Sequence, residues 1–503
     1  MTSIDLSRFV SSDGNVFAVQ GLPEEVIAVL FAKYSRAKGG LREILTEMLK
    51  GEELGVEGGG GAGLKLTMAN EKARAFHEKY VLGYGHASCA EHAVIHMGLE
   101  GVSILAAKAL EDTRIGASFT EKSTRFVSFD TASFVTPPEI LGASAHVQRL
   151  YQETCAYLVQ TCTDLTNCVE RRIRERHPKP PEMKAHEYNT MVHAKALDLC
   201  RGILPASTKT NLGMTINARA MELLLTKLYS HPAHEMQDLA HPIHKEALTV
   251  TPTLIKYAGR SPWRQAQRNP ITMPRNLRNL DNDDYRKRVA ERRKPVAIHA
   301  DLVGTAALER VARGILWDAS GPSMATSMRL THDELNAAIE QAFANRSRHD
   351  RAPRAFEAVQ LQVDMILDYG CFRDLQRHRM VSWHGHALTP TLGLQIPEGL
   401  AELDANSVYR EALRKAARVW EDVVEEVGGW AAQYVVPIGF NYHVLANTNL
   451  RELFHLVELR SGKGGHTTYR RIAQELHKQV EWEWPWAAKY MRCDHGEYEF
   501  ARE

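Results

Sequence analysis

Apolar residues at mostly three- and four-residue spacing predict two long amphipathic helices. One runs through Leu150, Cys155, Leu158, Cys162, Leu165, Val169 and Ile173, the other through Leu413, Trp420, Val423, Val424 and Val427. A further helix-periodic stretch follows each, Ala220 to Tyr229 and Leu453 to Leu459. Upstream of each long helix lies a short strand-like run, His92-Ala-Val-Ile-His-Met and Glu357-Ala-Val-Gln-Leu-Gln-Val-Asp-Met, which leads into a helix-like stretch. The pattern predicts an α+β unit used twice, each copy a small mixed sheet with long helices.

Side-chain identities repeat along with the pattern. Arg201-Gly-Ile-Leu-Pro205 followed by Asn217-Ala-Arg219 answers to Gln433-Tyr-Val-Val-Pro437 followed by Asn449-Leu-Arg451, every pair separated by 232 residues. The first copy is assigned to residues 1–259 and the second to 297–503. Between them, 260–296 is read as a basic, proline-containing linker. Residues 173–189 carry three prolines that a helix interior does not accept, and the second copy has no counterpart. Residues 51–64, with four consecutive glycines, read as a flexible surface loop, since no Gly-Lys-Ser/Thr ending marks a phosphate loop.

Composition narrows the class. The length of 503 residues exceeds one ordinary core, and a net charge of +1 argues against a globally electrostatic binder of nucleic acid or membrane. The linker's ten Lys or Arg against four acidic residues between Arg264 and Lys294 is modest, with almost no aromatic interleaving. Seven dispersed cysteines without a Cys-x-x-Cys pair read as reduced thiols, mostly packing. The N-terminus has no basic start followed by an apolar run, and no long apolar stretch occurs, so a cytoplasmic protein is expected.

The chemistry gathers around Arg377-His378-Arg379, at the end of an apolar, helix-compatible stretch. These residues and Ser382 resemble the signature of the flavin-dependent thymidylate synthases (ThyX), Arg-His-Arg-x-x-Ser-x-Asn-Glu-x-Ser-x-Arg-Tyr. Here the signature is divided. The second copy keeps Arg377, His378, Arg379 and Ser382 but has Gly385, Ala387 and Thr389 where the family has Glu, Ser and Arg. The first copy has Thr113, Arg114 and Ile115 at the triplet and keeps Ser118, Glu121, Ser123 and Arg125. The family's Arg before Leu-Pro, which grips the nucleotide phosphate, is Arg201 in the first copy and Gln433 in the second. Its later Asn-x-Arg, Leu-Arg and His resemble Asn449, Arg451, Leu459, Arg460 and His466. Its flavin segment resembles His86, Ser88, Glu91 and His92, with only His349 and Glu357 suggesting it in the second copy.

The resemblance implies two tandem ThyX-like domains, each α+β, in a chain that pairs as a homodimer mimicking the family's tetramer. It implies FAD, NADPH and 5,10-methylenetetrahydrofolate as cofactors, and methylation of dUMP to dTMP without a protein nucleophile. FAD contacts fall to Arg377, His378, Arg379, Asn449, Arg451, Arg460, His466, Ser88 and Glu91, with Arg377 and Arg460 catalytic. The pyrimidine nucleotide falls to Glu121, Ser123, Arg125 and Arg201. Arginine forks and small hydroxyl donors suit a phosphate independently of any family. Modification of another pyrimidine nucleotide, for example hydroxymethylation, stays open. So do uracil within a nucleic acid as the substrate and a non-catalytic assembly role. The histidine pairs His384/His386 and His92/His96 lack the order of a metal-binding helix motif, so polar packing or flavin contact is expected and no metal.

Overall fold

The computed structural model describes residues 6–35, 37–50, 55–57, 65–67, 87–123, 131–267, 295–321, 329–498 and 500. The glycine-rich loop, His86, Arg125 and most of the expected linker lie outside these residues. Two compact units are interleaved along the chain. The first comprises Met1–Val102, Ala106–Lys122 and Thr210–Met273; the second comprises Ser103–Leu105, Ser123–Lys209 and Pro274–Glu503.

In the first unit, α1 (Glu24–Tyr34) and α2 (Leu41–Lys50) bury Val26, Val29, Leu30, Ile44, Leu45 and Met48 in one apolar cluster. The short strands β1 (Gly55–Glu57) and β2 (Lys65–Thr67) pair antiparallel. The main sheet has the order β3-β5-β4, with β3 at Val94–Ser103, β4 at Ala117–Glu121 and β5 at Lys209–Asn217. Helix α3 (Ile104–Glu111) follows β3 directly.

The second unit draws on both sequence copies. From the first come α4 (Ala145–Arg176) and α5 (Ala185–Cys200). Ser144 caps α4 by accepting from the Val147 N–H at 3.3 Å, and the three prolines at 178, 180 and 181 fall in the connection between the two helices. The buried stripe of α4 starts at Val147 and Tyr151 rather than at Leu150, then follows Cys155, Leu158, Cys162, Leu165, Val169 and Ile173. Beyond α5, in the first unit, come α6 (Ala218–Tyr229) and α7 (His234–Val250).

The second sheet has the order β6-β7-β9-β8 and is antiparallel throughout, with β6 at Val296–Ala300, β7 at Gln360–Asp368, β8 at Ser382–His384 and β9 at Asn441–Asn449. The order β7-β9-β8 reproduces β3-β5-β4, and β6 adds an edge. Helices α8 (Gly304–Ser320) and α9 (His332–Phe343) precede β7, and α9 opens with a capping box built by Thr331 and Glu334. Then come α10 (Tyr369–Leu375), α11 (Asn406–Val427), α12 (Leu450–Arg460) and α13 (Thr467–Glu483). Helix α11 buries Tyr409, Ala412, Leu413, Ala416, Val419 and Val423 and packs on α4, where the Lys415 ammonium sits 3.8 Å over the Tyr157 ring.

The two Leu/Val-Pro segments pair with each other about a local two-fold relation. Ala206 N donates to Val436 O (2.9 Å) and Ile438 N to Leu204 O (2.9 Å). Ser207 N donates to Tyr434 O (3.1 Å) and Gly439 N to Gly202 O (2.8 Å), while Pro205 stands opposite Pro437 at the centre. Each bond thus has a counterpart with the two segments exchanged. Tyr409 closes over the ladder so tightly that a Cβ on Gly202 would lie 2.1 Å from its hydroxyl and 3.3 Å from the Gly439 Cα. Gly202→Ala is therefore expected to cost about 1–3 kcal/mol of stability through overpacking, measured by urea unfolding. Ala at the roomier Gly429, where a Cβ meets nothing within 4 Å, is the control.

Candidate functional site

Helix α10 carries the start of the site. Asp368 caps it by accepting from the Cys371 N–H at 2.8 Å, and its buried residues Tyr369, Cys371, Phe372 and Leu375 pin it to the core. The helix ends before the cationic triplet, whose members diverge. Arg377 and Arg379 are exposed, whereas His378 is buried at 3% exposure. His378 Nδ1 lies 2.9 Å from a Glu452 carboxylate oxygen, and its Nε2 accepts from Arg460 Nε at 3.0 Å. Arginine has no acceptor, so Nε2 carries the lone pair and the proton sits on Nδ1. Burial pushes the His378 pKa down, against the Glu452 hydrogen bond, which agrees with a neutral ring. His378 therefore acts as a link between Glu452 in the first turn of α12 and Arg460 in the last, positioning the Arg460 guanidinium.

Arg201, from the first sequence copy, meets α10 in the same unit. It is 5% exposed, and one of its terminal nitrogens lies 3.3 Å from Asp374 Oδ2. Burial alone would raise the Asp374 carboxyl, but the Arg201, Arg373 and Arg460 guanidiniums overcome it and hold the pKa at about 2. Asp368 behaves oppositely. Burial outweighs the Arg201 charge and pushes it to about 6, and its Oδ2 is buried without a hydrogen-bond partner. His466 caps α13, its Nδ1 accepting from Thr468 N (3.2 Å), so that Nε2 donates to Asp198 O (3.1 Å).

Arg201, Asp368, Asp198 and His466 border one cavity, which Lys195, Arg470 and Arg471 also line. Cations outnumber acids on its wall, and Thr467 and Thr468 at the start of α13 add hydroxyls and helix N–H groups. Such a wall is suited to an anion.

Other expected site residues lie elsewhere. Asn449 Oδ1 caps α12 by accepting from Glu452 N (3.0 Å), and Arg451 donates to Ala352 O (2.8 Å) and to Glu357 (2.7 Å). Both line a small separate hollow with Arg351 and His455. The first unit repeats this arrangement: Asn217 caps α6 (2.9 Å) and Arg219 pairs with Glu91 (2.5 Å). Asn-x-Arg persists in both copies where it fixes a helix start and the segment leading into a strand. Ser88 is exposed on the short turn Ala87–Glu91 of the first unit. Glu121, whose side chain is 2% exposed, ion-pairs with Lys108 at 3.2 Å, and Lys108 also contacts Glu111. Ser123 is half-buried, and Arg125 lies outside the described residues.

Where the second copy departs from the family pattern, its own side chains fill the space. Gln433 is buried, accepting from Leu388 N (3.2 Å) and donating to Trp430 O (2.9 Å). Tyr442 donates to His386 O at 3.0 Å, and a Cβ on Gly385 would lie 2.0 Å from its hydroxyl. Of the histidine pairs, all exposed, His384 contacts Asn447 (3.0 Å), His92 stacks on Phe31, and His96 meets Thr215 (2.9 Å). Sequence reading passed over Asp368, Asp374 and Asp198. The signal for Asp368 and Asp374 was two acids at the cap and near the end of a short helix whose remaining charge is Arg373.

Comparison with known proteins agrees with this repeat. The family model for thymidylate synthase complementing protein matches residues 42–253 and again 316–486, and the chain belongs to that family. A UPF0159 protein of Chlamydia muridarum is 32% identical over 496 residues, covering 94% of this chain and 91% of its own. A UPF0159 protein of Thermoplasma acidophilum is 30% identical over 468 residues, covering 86% and 91%. A flavin-dependent thymidylate synthase of Clostridium tetani is 26% identical over 195 residues, covering 39% of this chain and 74% of its own.

Because the folded-state pKa of Asp374 is depressed, its contribution is complete above its ordinary value near 4 and is lost as pH falls toward 2. Asp374→Asn should lower stability at pH 7 by on the order of 2 kcal/mol and flatten the acid limb of the stability profile. Urea unfolding at a series of pH values from 7 to 3 checks this; parallel profiles for the two proteins would refute it.

Proposed function

We propose that this chain is a flavin-dependent thymidylate synthase-like enzyme that methylates dUMP to dTMP with 5,10-methylenetetrahydrofolate and NADPH. The observation that carries the reading is Arg201. A residue of the first sequence copy sits within a cavity otherwise built largely from the second, beside the helix that leads to Arg377-His378-Arg379. The donor set fits a flavin and a nucleotide monophosphate, both of which present phosphate and ring carbonyls to arginines.

Arg201 would hold the nucleotide phosphate, with Asp374 fixing the guanidinium in place. The neutral His378 orients Arg460, whose remaining N–H groups would polarise a uracil carbonyl and so make the ring more electrophilic. Arg377, Arg379 and His466 would hold FAD, with Asn449 and Arg451 bracing α12. When bound, FAD supplies the hydride transfer that protein side chains lack. A thiol nucleophile is not called for: burial pushes Cys155 and Cys162 up to about 12 and raises Cys371, next to the site, well above its usual value.

A second reading, modification of another pyrimidine nucleotide, draws on Gly385 and Tyr442, which alter one of the family's nucleotide positions. Both are tested together. Purified protein should take up about one FAD per chain, as a cofactor-carrying site of this type requires. Incubation with NADPH, 5,10-methylenetetrahydrofolate and a panel of pyrimidine nucleotides, followed by mass spectrometry, should show methyl gain on dUMP. A product on a different nucleotide establishes the second reading, and protein that refuses FAD overturns both. Arg201→Ala should weaken nucleotide binding by about 10–100-fold, the loss expected for hydrogen bonds between charged groups. Gln433→Ala, whose side chain serves its own backbone, should leave binding nearly unchanged; equal effects in isothermal titration would refute the divided site.

A further inference from the structure

Away from this cavity, helix α13 and the segment that follows it bring His477, Cys493 and His495 together. Their ligating atoms all lie within 4.8 Å of one another. His477 is the informative member. It is 6% exposed and faces the backbone of Ala488 and Met491, with no well-aligned hydrogen bond at either ring nitrogen. A buried imidazole without a well-aligned partner at either nitrogen is costly, and an ion held between the three side chains would relieve that cost. The Glu481 carboxylate one turn along α13 is 3.7 Å from His477 Nδ1, beyond hydrogen-bond reach. The His477 and His495 rings stand edge-on, their centroids 5.0 Å apart with an interplanar angle of 68°. Two imidazoles bound tetrahedrally to one zinc at Zn–N of about 2.0–2.1 Å would place their centroids about 5 Å apart.

We propose that His477, Cys493 and His495 form a transition-metal site of the zinc class, with Glu481 or water as the fourth ligand. Two imidazoles and a thiolate are a borderline-soft set that favours Zn²⁺ over Mg²⁺ or Ca²⁺. Binding releases the Cys493 thiol proton to solvent and leaves both imidazoles neutral. The other convergent group, His378, Glu452 and His455, is different, because both nitrogens of His378 are already engaged by Glu452 and Arg460.

The ion would clamp the C-terminal segment to α13. That segment is otherwise held by Asp494 N donating to Ser461 Oγ (3.0 Å) and by Arg470 donating to Gly496 O (2.9 Å). It carries Tyr498, which lies under the Arg470 guanidinium (4.7 Å) and lines the cavity described above. The metal thus serves a wall of that cavity, and the inference stands whether or not the proposed reaction is correct.

The test uses the full chain, prepared without an affinity tag, stripped with a chelator and titrated with Co²⁺ and then Zn²⁺. One Co²⁺ per chain should give the visible bands of tetrahedral cobalt and a near-ultraviolet thiolate-to-cobalt band, all abolished when Zn²⁺ displaces it. Cys493→Ser should lose the thiolate band. His495→Ala, an exposed substitution that leaves the core intact, should weaken Co²⁺ binding at least ten-fold while circular dichroism stays unchanged. A wild-type chain with no cobalt spectrum overturns the site, as does a thiolate band that persists in Cys493→Ser or unchanged affinity in His495→Ala.

Discussion

Four backbone hydrogen bonds between Gly202–Ser207 and Tyr434–Gly439 set the frame on which the second unit depends. Proline at the centre of each segment has no N–H to offer, so the bonds fall on its neighbours in reciprocal pairs, and the two segments become interchangeable. The local turns repeat the relation: Leu204 N donates to Arg201 O and Val436 N to Gln433 O, both at 3.1 Å. This pairing decides where position 201 goes. With Gly202 O bonded to Gly439 N, and Ile438 O accepting from Gly370 N at 3.0 Å, the Arg201 side chain is delivered to α10 and Asp374. The same symmetry delivers Gln433 to the opposite side, where it finds only backbone groups of its own copy. One backbone arrangement therefore serves two unlike environments, Arg201 meeting Asp374 where Gln433 meets backbone groups.

The charge pattern around Arg201 follows from that delivery. A buried guanidinium requires a partner, and Asp374 supplies it; Asp374 is then among several cations and stays ionised. Asp368, a short distance along the same helix start, has spent one oxygen on the cap and has no partner for the other, so burial dominates and its proton is retained to higher pH. Two carboxylates flanking one helix are thereby separated by environment in the pH at which they ionise. The ring of His378 adds a neutral strut between the two ends of α12.

The α+β class, the long helices and the duplication were legible in periodicity and in the fixed offset, because those signals depend on local side-chain pattern. Helix α4 shows the margin: its stripe starts at Val147 and Tyr151, as the Ser144 cap sets the first turn and puts Leu150 at the edge. Family membership was legible in short motifs. What the motifs did not reveal was which matching residues serve the fold. Asn449 and Arg451 look like ligand contacts in sequence, yet they cap α12 and tie down Glu357, just as Asn217 and Arg219 do with α6 and Glu91. Glu121 has the motif position but is committed to Lys108. Asp374, Asp368 and His477 were invisible because an acid or histidine in an apolar helix acquires meaning only from what another segment places against it.

The interleaving of the two units bears on how the chain is made. A growing polypeptide leaves the ribosome from its N-terminus, and domains usually fold as they emerge. Here α4 is synthesised early and meets α5 directly after it, yet α11, the other long helix packed on α4, arrives some 230 residues later. Translation at about 5–20 residues per second leaves the part of α4 that meets α11 uncovered for roughly ten seconds or more. For this one seam, the order of synthesis thus opposes the order of packing, and the core of the second unit closes only when the second copy has emerged.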